Sequence, residues 1–177
     1  MTTSVIEVMD TAVKIGLGGV ITLLGTYAVT KLNHNHEHSK EIKKRHYDTL
    51  ESVGGNIEEV THISLRYWAL IIEWVRNHHQ GMELTDKRQA ELDKTKIDLF
   101  DQFKSLTVAE SKLLLLGLKE PSALLRDYGE FLVEMRRSYY DGNSSLTEEN
   151  MNCVRNELLK KRQLLFNSLS NAYKKDL

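Results

Sequence analysis

Residues 34–38 read HNHEH, and they pose the first chemical question of this 177-residue chain. His34 and His38 stand one helical turn apart with Glu37 beside them, the order of an H-x-x-E-H zinc-protease site in which the glutamate serves as base. Such a site needs a third ligand and a substrate cleft. What surrounds this one is charge: residues 30–46 hold four of the seven histidines and five basic side chains. A simpler metal-binding or proton-sensing cluster fits the residues better, because neutral imidazole is a common zinc ligand and titrates near neutral pH. Glu59-x-x-His62 echoes the half-site of carboxylate-bridged di-iron bundles. That chemistry needs the motif twice, and no other histidine here has a glutamate three residues before it.

Ahead of the histidines, residues 15–30 (IGLGGVITLLGTYAVT) carry no charge. With the ends extended to residues 12–32, and Lys14 and Lys31 snorkelling, the run is long enough for one transmembrane helix. A core helix and a cleaved signal peptide are the competing readings, and Glu7 and Asp10 before the run disfavour the second. Lys14 alone precedes the run, whereas Lys31, Lys40, Lys43, Lys44 and Arg45 follow it. The positive-inside rule then places the amino end outside and the body in the cytoplasm, with those five side chains at lipid headgroups. Gly18, Thr22 and Gly25 share a helix face where two membrane helices could meet.

The rest of the chain reads as all-α. It has one proline, and its apolar residues recur at helical spacing rather than in alternation. The expected organisation is a tail over 1–11, the membrane helix over 12–32, a basic and histidine-rich helix over 33–55 ending at a Gly54-Gly55 turn, and a bundle of about five helices over 56–177. Ile57, Val60, Tyr67, Trp68, Ile71, Ile72, Trp74 and Val75 surround more than half of the first bundle helix, which puts it centrally. The next begins at Thr85 or Asp86, with a polar first half projecting into solvent and Ile97, Phe100 and Phe103 in its second half. Thr107-x-x-Glu110 has capping-box form, Pro121 opens the following element, and Ser145-x-x-Glu148 opens the last. An antiparallel turn at Gly54-Gly55 would bring His78 and His79 back to His34 and His38, with Trp74 at the bilayer edge, as one possible zinc site.

No glycine-rich phosphate loop and no G-x-S-x-G is present, and Cys153 reads as a packing residue in an amphipathic helix. From Lys31 onward, 23 basic residues balance 23 acidic ones, which argues against nucleic acid as a partner. The expectation is therefore a single-pass membrane protein without catalytic residues. Its helical bundle would act as a protein-interaction, scaffold or regulatory module, with membrane lipid and a protein partner or a second copy as ligands. A metal- or pH-responsive sensor built on the histidines is the alternative, and a metal-dependent enzyme the third.

Overall fold

In a computed structural model the structure describes residues 5–175, with side chains at 26, 27, 30, 31 and 40–174. Four helices follow one another: α1 (Val5–His79), α2 (Asp86–Leu115), α3 (Lys119–Ser138) and α4 (Glu148–Lys175). The chain divides into two compact units, Met1–Arg45 and His46–Leu177. The second unit is an all-α bundle.

In that unit the buried positions recur in steps of three and four, or of their sum, seven. On α1 they are Leu50, Val53, Ile57, Val60, Ser64, Tyr67 and Ile71; on α2, Leu92, Thr95, Leu99, Leu106, Ala109 and Leu113. Leu125, Tyr128, Leu132 and Met135 do the same on α3, as do Met151, Val154, Leu158, Leu165, Ser168 and Ala172 on α4. A 3.5-residue repeat keeps one seam of each helix facing its neighbours when the helices cross at a small angle. Cross-helix contacts give the directions. Between α1 and α2, Lys112 donates to Ser52, Gln102 to Glu59, Arg66 to Glu91 and Arg88 to Glu73, so one helix descends as the other rises. Between α1 and α4, Glu58 pairs with Arg162 and Arg76 with Glu148, again antiparallel. Arg126 reaches Glu110, and Arg136 lies over Phe100, which makes α2 and α3 antiparallel too. The topology is up, down, up, down.

The bundle has four helices where five were expected, because two expected boundaries lie inside helices. Gly54-Gly55 is the first, and α1 runs through it without a turn. Val53 and Ile57 on either side are fully buried, and a Cβ added at Gly54 would stand 3.6 Å from Phe166, so packing against α4 holds the glycines helical. The antiparallel turn, and with it the fold-back of His78 and His79 towards His34 and His38, is therefore corrected. Thr107 is the second. Its hydroxyl donates to the Phe103 carbonyl four residues back instead of accepting a backbone N–H, so it sits within α2 and caps nothing. The polar first half of α2 does not project either, since Leu92 and Thr95 are buried.

True ends carry different signals. After α2, Gly117 has φ 71°, and the Leu118 N–H bonds the Leu113 carbonyl while the Gly117 N–H bonds that of Leu114, a Schellman closure. At the start of α4, Thr147 and Asn150 cap each other reciprocally through side chain and backbone, two residues beyond the expected Ser145. Pro121 lies in the first turn of α3 as expected. Cys153 is exposed rather than packed.

Among the described residues no helix is long and apolar enough to cross a membrane. The single-pass placement, with its outside amino end and cytoplasmic bundle, is corrected accordingly. Most of residues 12–32, on which that placement rested, have side chains outside the described residues. The described side chains within residues 15–30, Thr26, Tyr27 and Thr30, are exposed.

Three buried side chains on α1 and α3, Thr61, Tyr67 and Tyr128, carry paired polar groups, whereas the buried Ser168 hydroxyl has no partner among the described residues. The Tyr128 hydroxyl and Thr61 Oγ1 stand 2.8 Å apart across the diagonal, and Thr61 also reaches the Ile57 carbonyl. Tyr67 donates to the Tyr139 carbonyl at 2.6 Å, and Trp68 Nε1 to that of Met151 at 2.6 Å. Burial pushes the Tyr128 phenol up to about 12, overriding the opposing hydrogen bond from Thr61. Burial, then the charge of Asp141, raises Tyr67 as well.

Two outcomes follow. Gly55 has open space where a Cβ would go and no positive φ, so Gly55→Ala should stabilise the bundle by about 1 kcal/mol in urea unfolding; destabilisation would indicate a turn there. A phenol raised in the folded state contributes stability that is complete below its unfolded value near 10 and is lost as pH rises through the folded value, at about 1 kcal/mol per pH unit. The stability difference between the wild type and Tyr128→Phe, about 1 kcal/mol at pH 8, should therefore shrink between pH 10 and 12. A constant difference would contradict the burial of that phenol.

Candidate interaction surface

The candidates named from sequence are not assembled into one site. Gly18, Thr22, Gly25, His34 and His38 have side chains outside the described residues. His78 and His79 end α1, where His78 stacks on Trp74 with ring centroids 4.9 Å apart and His79 lies 6.4 Å from His78. Trp74 itself packs against the bundle core. Among the described residues no group of three or more His, Cys, Asp or Glu side chains is placed to hold a metal. Lys31, Lys40, Lys43, Lys44 and Arg45 are all exposed, and Arg45 pairs with Glu41 at 2.5 Å. Their lipid-headgroup role depended on the span and is not carried further.

A different feature stands out on α2. Leu92, Leu99, Leu106 and Leu113 recur every seventh residue and fix the buried seam. Ile97, Phe100, Val108 and Leu115 fall within one arc of about 80° on the side away from that seam, at 100° per residue. All four are exposed: Ile97 by 63 %, Phe100 by 60 %, Val108 by 44 % and Leu115 by 87 %. Lys104 and Ser111 complete the same stripe. Helix α2 thus has two apolar faces, of which the bundle uses one.

The stripe adjoins a groove of about 650 Å³ lined by Phe100 and Phe103 of α2 and by Val133, Arg136 and Arg137 of α3. The Arg136 guanidinium lies 5.1 Å from the centroid of the Phe100 ring. Tyr140, just past α3, is also exposed. Fixed bonds hold the walls. Tyr67 anchors the carboxyl end of α3 through the Tyr139 carbonyl, and Lys96 and Gln89 of α2 hold Asp141 at 2.7 and 3.2 Å. Burial would raise the Asp141 carboxyl, but the bonds from Lys96 and then Gln89 outweigh it and hold the carboxyl below its ordinary value. Burial likewise opposes the charge on Lys96, and its bonds to Asp141 and Asp93 raise it on balance. Arg136 and Arg137, by contrast, have no acidic partner among the described residues, and no carboxylate lines the groove.

No family model, curated protein or solved structure matches this chain, so the surface is read from its own residues. Sequence reasoning grouped Ile97, Phe100 and Phe103 as one apolar half of a helix. The leucine at every seventh position was the signal that separates them, because it assigns the seam and leaves Ile97 and Phe100 outside it.

The two faces of α2 differ measurably. Leu99→Ala should cost about 2–5 kcal/mol in chemical unfolding, as for a fully buried leucine. Phe100→Ala, one residue on, should cost under about 1 kcal/mol. Equal losses would contradict the outward placement of Phe100.

Proposed function

We propose that the bundle is a protein-interaction module, of scaffold or regulatory kind, whose binding surface is the outer face of α2 with the adjoining edge of α3. The alignment of Ile97, Phe100, Val108 and Leu115 along the solvent side of one helix carries this reading. Single exposed apolar side chains are ordinary on protein surfaces, whereas four aligned on one helix face, interrupted by Lys104 and Ser111 and set beside arginine and aromatic groups, have the composition of interface centres. The ligand is another protein or a second copy of this chain. The histidine-based sensor and the metal-dependent enzyme draw no comparable support from the described residues.

Affinity capture from cells that express the protein tests this reading, with the wild type compared against an Ile97→Ser/Phe100→Ser/Leu115→Ser variant by quantitative mass spectrometry. The variant should keep the wild-type unfolding midpoint within a few degrees and lose at least one captured protein, or self-association, by roughly tenfold or more. Identical capture by a folded variant would sink the proposal.

A further inference from the structure

We infer that the groove between α2 and α3 takes an amphipathic helix whose apolar face is flanked by acidic side chains, an inference that rests on the interaction reading above. The floor is Phe100, Phe103 and Val133, and the rim is Arg136 and Arg137. Both arginines lie on the exposed surface. Neither has an acidic partner among the described residues, and Arg136 is held against the Phe100 face by cation–π attraction. Glu134, the carboxylate closest to them along α3, lies about 100° around the helix from Val133 and accepts a bond from the Ser138 hydroxyl at 2.6 Å. Asp101 of α2 projects about 160° from Phe103. Exposed Glu130 stands one turn before Val133, about 60° around α3, so the positive charge is confined to the groove lining itself, which holds two arginines and no carboxylate.

The shape selects a linear occupant. Ile97 stands one turn before Phe100 on α2 and is likewise exposed, so apolar surface continues along that helix past the groove. Two packed helices offer no strand edge, and an apolar groove between helices suits helix-in-groove docking, with anchors at i, i+3 or i+4, and i+7. Arginine forks on the rim would bind carboxylates on the flank of that helix bidentately and fix its orientation. The walls are held by the Tyr67–Tyr139 and Lys96–Asp141 bonds, so the groove is formed before anything binds.

The test uses the full chain as bait for a displayed library of 18-residue helical peptides. Their anchors vary among Leu, Ile, Met and Phe, and their flanks among Glu, Gln and Lys. Enrichment of Glu flanks is expected. Selected peptides should bind roughly tenfold or more weakly to Phe100→Ala and to Arg136→Glu/Arg137→Glu, and the charge-reversed protein should enrich Lys flanks instead. These substitutions are at exposed positions, and an unchanged unfolding midpoint confirms that each variant is folded. Flanks selected without regard to charge, or binding untouched by both variants, would overturn the inference. Absence of enrichment together with partner loss in the capture experiment would overturn the acidic-helix occupant and leave the interaction reading standing. Self-association abolished by Phe100→Ala without any peptide selected would do the same in favour of a second copy. Absence of both enrichment and partner loss would overturn both.

Discussion

Burial of one stretch of α1, from Leu50 to Val75, is the constraint on which the bundle depends. Apolar residues occupy most sides of that stretch, and eleven of its positions, from Leu50 through Val53, Ile57, Val60, Thr61, Ser64, Tyr67, Leu70, Ile71 and Ile72 to Val75, are buried. No single neighbour covers so wide a face, so α2 and α4 pack on either side and α3 closes the diagonal. The polar groups that this burial traps are matched across elements: Thr61 with Tyr128, Tyr67 with the Tyr139 carbonyl, and Trp68 with that of Met151. Each of these pairings fixes a height along the bundle, which is how the register of α3 and α4 against α1 is set.

The same constraint explains why two glycines fail to end a helix. Their combined propensity cost is about 2 kcal/mol, whereas each fully buried Val or Ile beside them returns about 1.5–3 kcal/mol. Burial of Val53 and Ile57 therefore outweighs the glycine penalty, and Gly54 packs against the Phe166 ring. Magnitudes also shape the view of α2. Covering the exposed parts of Ile97, Phe100, Val108 and Leu115 would yield on the order of 5 kcal/mol, close to the lower bound of the roughly 4–15 kcal/mol that association costs. The stripe alone would bind weakly. The groove and its two arginines supply the desolvated aromatic and cationic contacts that dominate interface energetics, and the expected complexes are reversible ones.

Much of the fold was legible in the sequence. The all-α class and the burial of Tyr67, Ile71 and Val75 on one helix follow from apolar periodicity. What failed were signals that act locally and were overruled by packing or by competing bonds. Gly54-Gly55 reads as a turn until Phe166 is seen beside it, and Thr107-x-x-Glu110 reads as a cap until the Thr107 hydroxyl is seen bonding backwards to Phe103. The membrane span failed differently: no helix among the described residues is long and apolar enough to cross a membrane, and most of residues 12–32 have side chains outside them. The interaction surface was hidden because Ile97 and Phe100 look like core when counted as apolar residues. Only the heptad of Leu92, Leu99, Leu106 and Leu113 shows that they belong to the other side.

Photo-crosslinking in living cells tests the central claim most directly, with a photoreactive phenylalanine analogue placed at position 100 and, as a control, at the exposed position of Asn152 on α4. The account predicts discrete covalent adducts from position 100 and none of the same mass from position 152. Adducts of equal pattern from both positions, or none from position 100, would contradict the assignment of the α2–α3 face as the surface on which this bundle meets its partner.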